Sequence, residues 1–162
     1  MKKLLFLILF FGCFALCAQS KKVALKTYTF AEVTEMHQQN PKPIIVFTFT
    51  NWCEICFGMK TTTFKNKEVI KLLNDHFYFV KLNAEDTNDI TFLGKKFSYK
   101  PSGYQSGNHE LATALASIKG KVSYPTTTFL NSNLEITFQL NEYINSKKMY
   151  EALKKQLQLE ED

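Results

Sequence analysis

The run Ile44-Ile45-Val46-Phe47-Thr48-Phe49-Thr50 constrains the fold more than any other stretch of the chain. Its β-branched and aromatic side chains favour a strand. Its near-continuous apolarity fits a strand buried on both faces, with helices on either side of the sheet. Directly after it come Trp52-Cys53-Glu54-Ile55-Cys56, two cysteines three positions apart. This layout reads as a strand running into the first turn of a helix. A thiol at a helix N-terminus faces unpaired backbone N–H groups and the positive end of the helix dipole. Both favour the thiolate, which is the reactive form. A second thiol one turn on can attack a mixed disulfide made by the first. The pair is therefore read as a thiol–disulfide exchange site.

The same spacing also forms half of many structural zinc sites, which need two further ligands. His37, His76 and His109 are scattered, without a close histidine pair, so no metal is expected here. The first residues read as a targeting segment. Lys2-Lys3 give a basic start, Leu4 to Leu16 an apolar run, and Ala18-Gln19-Ser20 a small and polar end. A bilayer span takes about 20 apolar residues, so this shorter run suits a secretory signal peptide over residues 1–18. Leu16 is a less than ideal residue before the cut. Cys13 and Cys17 lie inside this leader, where they are either removed or offer lipid attachment. The mature domain, 19–162, keeps only Cys53 and Cys56. An exported chain with one close cysteine pair is not a disulfide-stapled scaffold, which is short and cysteine-dense.

Formal net charge is +5 for the 162-residue chain, and all 20 basic residues are lysine. Arginine is the side chain best suited to clamping phosphates and reading bases. Its absence, together with an export signal, argues against a nucleic-acid partner.

Along the chain, Thr27 to Phe30 is predicted as a short strand and 31–39 as an amphipathic helix ended by Asn40-Pro41. After the strand 44–50, a helix is predicted from Cys53 to about Thr61. Asn66 is predicted to cap a helix through Asn74, and Phe77 to Asn83 to form the next strand. Residues 84–107 carry turn formers but also Phe92, Phe97, Tyr99 and Tyr104. They read as an ordered insertion holding a small hairpin. Asn108 is predicted to cap a helix to about Ser117, closed with help from Gly120. Tyr124 to Leu130 reads as a strand opened by proline. It is followed by a hairpin into Leu134 to Leu140 and a helix from about Ser146 to Leu157. Glu160-Glu161-Asp162 are expected to fray.

This order is α/β, and it resembles the thioredoxin family: a central mixed β-sheet flanked by helices, with an insertion before the proline strand. The resemblance is carried by Asn51-Trp52-Cys53-Glu54-Ile55-Cys56, by Phe64 to Leu73, by Phe79-Val80-Lys81-Leu82-Asn83 and by Tyr124-Pro125-Thr126-Thr127. It is nearest to exported bacterial members, including the reductant-carrying domains of Dsb-type relays. It implies that Cys53 is the exposed attacking thiolate, Cys56 the buried resolving thiol, and Trp52 a cover for the site. Pro125 would match the family's cis-proline, beside which the Tyr124 backbone pairs with an extended substrate and metals are kept from the thiolates. The redox group would be the Cys53–Cys56 disulfide itself, with no other cofactor. Implied partners are protein disulfides and a membrane electron donor, met in the periplasm by a monomer.

Two departures stand out. Many thioredoxins place a buried acid six residues before the first cysteine, to move the resolving thiol's proton; here that position is Phe47. The dipeptide between the cysteines is Glu54-Ile55, and a carboxylate beside Cys53 opposes thiolate formation. Lys60 could offset it, although it reads first as part of a solvated helix face. Two other functions stay open: a non-catalytic binding module with a static disulfide, and a copper(I)-handling protein using both sulfurs.

Overall fold

The computed structural model describes residues 23–104 and 106–161; the leader predicted over 1–18, with Cys13 and Cys17, lies outside the described residues. The centre is a four-stranded sheet in the order β10-β9-β1-β2. Its strands are β1 (Ile44–Phe49), β2 (Tyr78–Asn83), β9 (Thr126–Leu130) and β10 (Ile136–Leu140). β1 runs parallel to β2 and antiparallel to β9, which pairs antiparallel with β10. Side chains alternate across a strand. Ile45 and Phe47 therefore enter one core with Phe79, Phe129, Met59 and Leu73. Ile44 and Val46 enter another with Val80, Leu82, Phe30 and Leu111. The apolar run of β1 is continuous because both of its faces are covered.

The helices that cover these faces start where the sequence supplies caps. α1 (Phe30–Gln39) opens on a capping box of Thr29 and Glu32. α2 (Glu54–Thr61) opens on Cys53 itself. It ends where Thr61 and Thr62 turn their hydroxyls back onto carbonyls of their own last turn. α3 (Lys67–His76) opens on Asn66, whose side chain accepts from the N–H groups of Glu68 and Val69. α5 runs Ser146–Glu161, longer than expected. Glu160 is engaged rather than frayed, accepting from the Ser132 N–H at 3.0 Å and from Gln156 at 2.7 Å, while Asp162 lies outside the described residues. The strand expected at 27–30 is a single bridge, Tyr28 to Val80, because Phe30 already belongs to α1. Among the described residues no helix is long and apolar enough to cross a membrane.

The insertion is ordered as two hairpins, one more than expected. β3 (Ile90–Phe92) pairs with β4 (Lys95–Phe97), and β5 (Tyr99–Gly103) with β6 (Ser106–His109). Leu93 and Gly94 both have positive φ, 52° and 75°, the backbone of a two-residue hairpin turn. Phe92 anchors this part on Phe30, ring centroids 5.0 Å apart. β6 leads into α4 (Glu110–Ala116), whose cap is His109 rather than Asn108. His109 Nδ1 accepts from the Leu111 N–H at 3.2 Å, so its proton sits on Nε2, which donates to the Asn88 carbonyl at 3.1 Å. Asn108 is one residue too early, inside the strand. Gly120 does not close this helix; with Lys119 it forms the turn of a further small hairpin, β7 (Ser117–Ile118) to β8 (Lys121–Val122).

Two carboxylates converge on Ser98 inside the insertion. Asp89 accepts from its hydroxyl at 2.6 Å, and Glu110 from its backbone N–H at 2.8 Å. Asp89 is held below the usual carboxylate range first by Lys96 and then by Ser98. Glu110 is held low first by the Ser98 N–H and less by Lys100. Groups with lowered folded values stabilise above the unfolded value, about 4, and lose that contribution as pH falls through the folded value. Amide exchange across 90–109, corrected for its intrinsic rate, should therefore accelerate between pH 6 and pH 3 while the central sheet stays protected. Unchanged protection near Ser98 would refute this.

Candidate redox site

The site forms where β1 ends. Thr50 carries the chain off the sheet, and the Cys53 N–H returns to the Thr50 carbonyl at 3.4 Å. This places Cys53 at the N-cap of α2 with extended backbone, φ −76° and ψ 99°. Its Sγ accepts from the Cys56 backbone N–H at 3.1 Å, which satisfies one of the helix's free donors with sulfur. Cys53 and Cys56 are joined as a disulfide, with Cα atoms 5.2 Å apart. Cys53 keeps 7% exposure and Cys56 none. Cys53 is thus nearly buried, less exposed than the sequence implied. Cys56 faces the core of Met59, Phe64 and Phe129.

Two aromatic residues flank the pair. Trp52 is 67% exposed. Its indole N–H donates to Glu85 Oε1 at 2.9 Å. Its ring meets Tyr124 edge-on, with centroids 6.1 Å apart and an angle of 80°. Tyr124 is half-buried, and its hydroxyl donates to Asn108 Oδ1. Burial raises the Tyr124 phenol above its ordinary value, and the negative charge of Glu85 adds to this. The Tyr124–Pro125 peptide bond is cis, and Pro125 is buried. Glu54 and Ile55 both face solvent on the first turn of α2.

Phe47 is fully buried, with Phe64 at 4.8 Å and Phe49 at 5.9 Å between ring centroids. Hydrocarbon therefore occupies the space that holds an acid in many thioredoxins. Lys60 is not simply solvated. Its ammonium lies over the Phe49 ring, 3.1 Å from the centroid, a favourable cation–π geometry. Partial burial, and then the nearby charge of Lys81, lower its pKa from the usual lysine range. Lys60 also borders a groove of about 1220 Å³ that runs along 23–27 and α3 rather than over the sulfurs. Among the described residues no group of three or more His, Cys, Asp or Glu stands close enough to share a metal ion.

Glu85 and Asn108 are the site residues the sequence did not single out. Glu85 sits among turn formers, and Asn108 read as a cap.

The arrangement has clear kin. The family Thioredox_DsbH, described as "Protein of unknown function, DUF255", matches residues 14–160. The chain belongs to this thioredoxin-like family. A solved DsbH oxidoreductase superposes with a TM-score of 0.58 at 17% identity, covering 84% of this chain and 86% of that one. A thioredoxin from Thermus thermophilus gives a TM-score of 0.57 at 19% identity, covering 82% and 86%. At these identities the likeness is one of fold. A Caenorhabditis elegans protein, "Uncharacterized protein B0495.5", is 30% identical over 73 residues. That stretch is 45% of this chain, and the chain spans about 10% of the length of that relative. This chain therefore has the α/β thioredoxin fold, with Cys53 and Cys56 joined as a disulfide at the head of α2.

Proposed function

We propose that this chain is an exported thiol–disulfide oxidoreductase acting on protein disulfides, as a reductase or relay rather than a strong oxidant. The observation that carries the reading is the Cys53 sulfur at the N-cap of α2, accepting the Cys56 N–H at 3.1 Å, with Cys56 fully buried behind it. In the reduced protein the same N–H and the helix dipole favour a Cys53 thiolate. That thiolate attacks one sulfur of a substrate disulfide, whose S–S bond breaks and whose other sulfur leaves as thiolate. Cys56, having lost its proton, then attacks the Cys53 sulfur. The Cys53–Cys56 bond forms and the second substrate thiolate leaves. Two electrons have passed to the substrate, and its thiolates take up two protons. With Phe47 in place of the acid, the proton of Cys56 leaves through water or another group. A dithiol donor, membrane-bound in our reading, returns the pair to its reduced state. Trp52, Tyr124 and Pro125 form the surface where the substrate lies, and the backbone of Tyr124 pairs with its extended segment. Glu54 and Ile55 line the approach. The leader 1–18 delivers the domain 19–162 to the periplasm.

A second reading, a binding module with a static disulfide, is favoured only by the 7% exposure of Cys53. Equilibration of the domain in glutathione buffers of known potential, with the state of the pair read by mass, separates the two. A potential between about −200 and −270 mV, with turnover, is expected. A value below about −300 mV without turnover would assign the static role.

A further inference from the structure

Positive charge on this domain is gathered in one place. With Lys2 and Lys3 set aside in the leader, the formal charge falls from +5 to +3. The groove along 23–27 and α3 is lined by Lys26, Lys60, Lys65, Lys67, Lys71 and Lys81, with Asp75 as its one carboxylate. Its lining alone therefore carries +5, and the rest of 19–162 is net acidic by two. Asp75 is already paired with Lys71 at 2.6 Å. Among the described residues, the other five lysines form no ion pair. The wall of the groove is fixed. Asn74 Oδ1 accepts the Lys26 N–H at 2.8 Å, and the Asn74 amide donates to the Ala24 carbonyl at 2.9 Å. The Tyr28 N–H donates to the Phe79 carbonyl at 2.9 Å, which holds the segment on the edge of β2.

Like charges gathered around a concave, low-dielectric surface reinforce one another's potential. Lys60 reflects this: partial burial, and then the charge of Lys81, lower its pKa from the usual lysine range. An anion seated beside them offsets both effects. The lysines are not arranged for one rigid ligand. They come from the 23–27 segment, α2, the turn at 63–65, α3 and β2. Of the six, only Lys60, over Phe49, and Lys71, on Asp75, have their ammonium groups held by another side chain. The rest are compact charges on flexible stems, without the planar fork that fixes a carboxylate or phosphate in one pose. Such an array suits a fluid anionic surface, whose headgroups move to meet the charges. Val23, 60% exposed at the rim, adds an apolar side chain that can enter that surface.

We propose that this groove is a membrane-docking surface: its lysines hold the domain against a bilayer that contains anionic phospholipid. Cys53 and Cys56 lie outside its lining, so the contact is made by lysines and not at the disulfide. Docking keeps the disulfide close to a membrane-bound electron donor, a consequence that rests on the reading of the chain as an exported relay. The docking itself uses neither sulfur, so it stands apart from the redox chemistry.

The chain is expressed whole, and the exported protein is mixed with phosphatidylcholine vesicles made with or without phosphatidylglycerol. Sedimentation gives the bound fraction. Affinity for the anionic vesicles should be at least about thirtyfold higher, and added salt should release the protein. The triple variant Lys26→Gln, Lys65→Gln, Lys67→Gln should lose at least about tenfold in that affinity. These side chains are exposed, so their replacement leaves the fold intact. Lys121→Gln, Lys147→Gln and Lys154→Gln together remove the same charge from exposed positions elsewhere. That variant should lose less than about twofold, because its lysines lie outside the groove. On bound vesicles, amine acetylation read by peptide mass should spare Lys65 and Lys67 and still reach Lys121 and Lys154. Equal binding to neutral vesicles, or an equal loss in both triple variants, would overturn the proposal. So would capture of a polyglutamate peptide without binding to anionic vesicles, which would assign the groove to an acidic protein partner. Cys53→Ser protein should dock as the wild type does, so a failure to dock and a failure to turn over are separate results.

Discussion

Replacing Cys53 by serine should lower disulfide-reducing activity by at least about three orders of magnitude, because a serine hydroxyl stays protonated at neutral pH and forms no exchangeable bond to sulfur. The fold should survive: a serine oxygen can accept the Cys56 N–H as an N-cap at least as well as sulfur does. Cys56→Ser should behave differently. Attack by Cys53 remains possible, but release does not, so the variant should accumulate mixed disulfides with its substrates, visible as adducts lost on adding excess dithiol. The asymmetry follows from position. Cys53 is the cap of α2 with some access to solvent, whereas Cys56 faces the core without any. Insulin-type turbidity and adduct mass spectrometry check both variants. Equal activity loss with adducts on Cys56 in the Cys53→Ser protein would reverse the assigned roles.

Phe47→Ala should be the most destabilising single change near the site, at about 3–5 kcal/mol. Phe47 is fully buried on the central strand, and its ring meets Phe49 and Phe64. Its neighbours Phe79 and Phe129 belong to the strands on either side of β1, which leaves the void few ways to close. Against a typical total of about 5–15 kcal/mol, this is a large share of the stability. Denaturant unfolding with an unchanged slope and a much lower midpoint is the expected result. A loss below about 1 kcal/mol would mean that the core relaxes around the gap. The position matters for chemistry as well. An ionised side chain placed there would have to be stabilised among aromatic rings, so the sheet of this chain is built for packing where relatives of the fold use a proton carrier.

Much of this molecule was legible because its signals are local. The apolar run 44–50 announced a strand covered on both faces, and alternation along it divides the two cores. Asn66 followed by Glu68 and Val69 announced a capped helix, and the cap is present. The cysteine spacing placed both sulfurs at the head of α2. Contacts that depend on how the chain returns were not legible. Trp52 and Glu85 are 33 residues apart in sequence, and their meeting is fixed by the backbone bonds of Ala84 to Phe49 and His109. Asn108 and His109 are both residues that cap helices, and only the β5–β6 register, set by the close approach at Gly107, decides that the second does so. Lys60 looked like a solvent-facing residue because sequence does not show that the Phe49 ring lies under it. Glu160 looked like part of a loose tail because its partner, the Ser132 backbone, belongs to a distant turn.

The central claim is that the sulfur capping α2 becomes a reachable anion when the pair is reduced. Timed alkylation of the reduced, folded protein at neutral pH, with the modified residue located by peptide mass, tests it most directly. We expect Cys53 to react faster than a free cysteine and Cys56 to stay unmodified until the protein unfolds. Protection of Cys53 in the folded state, or modification of Cys56 first, would contradict the account.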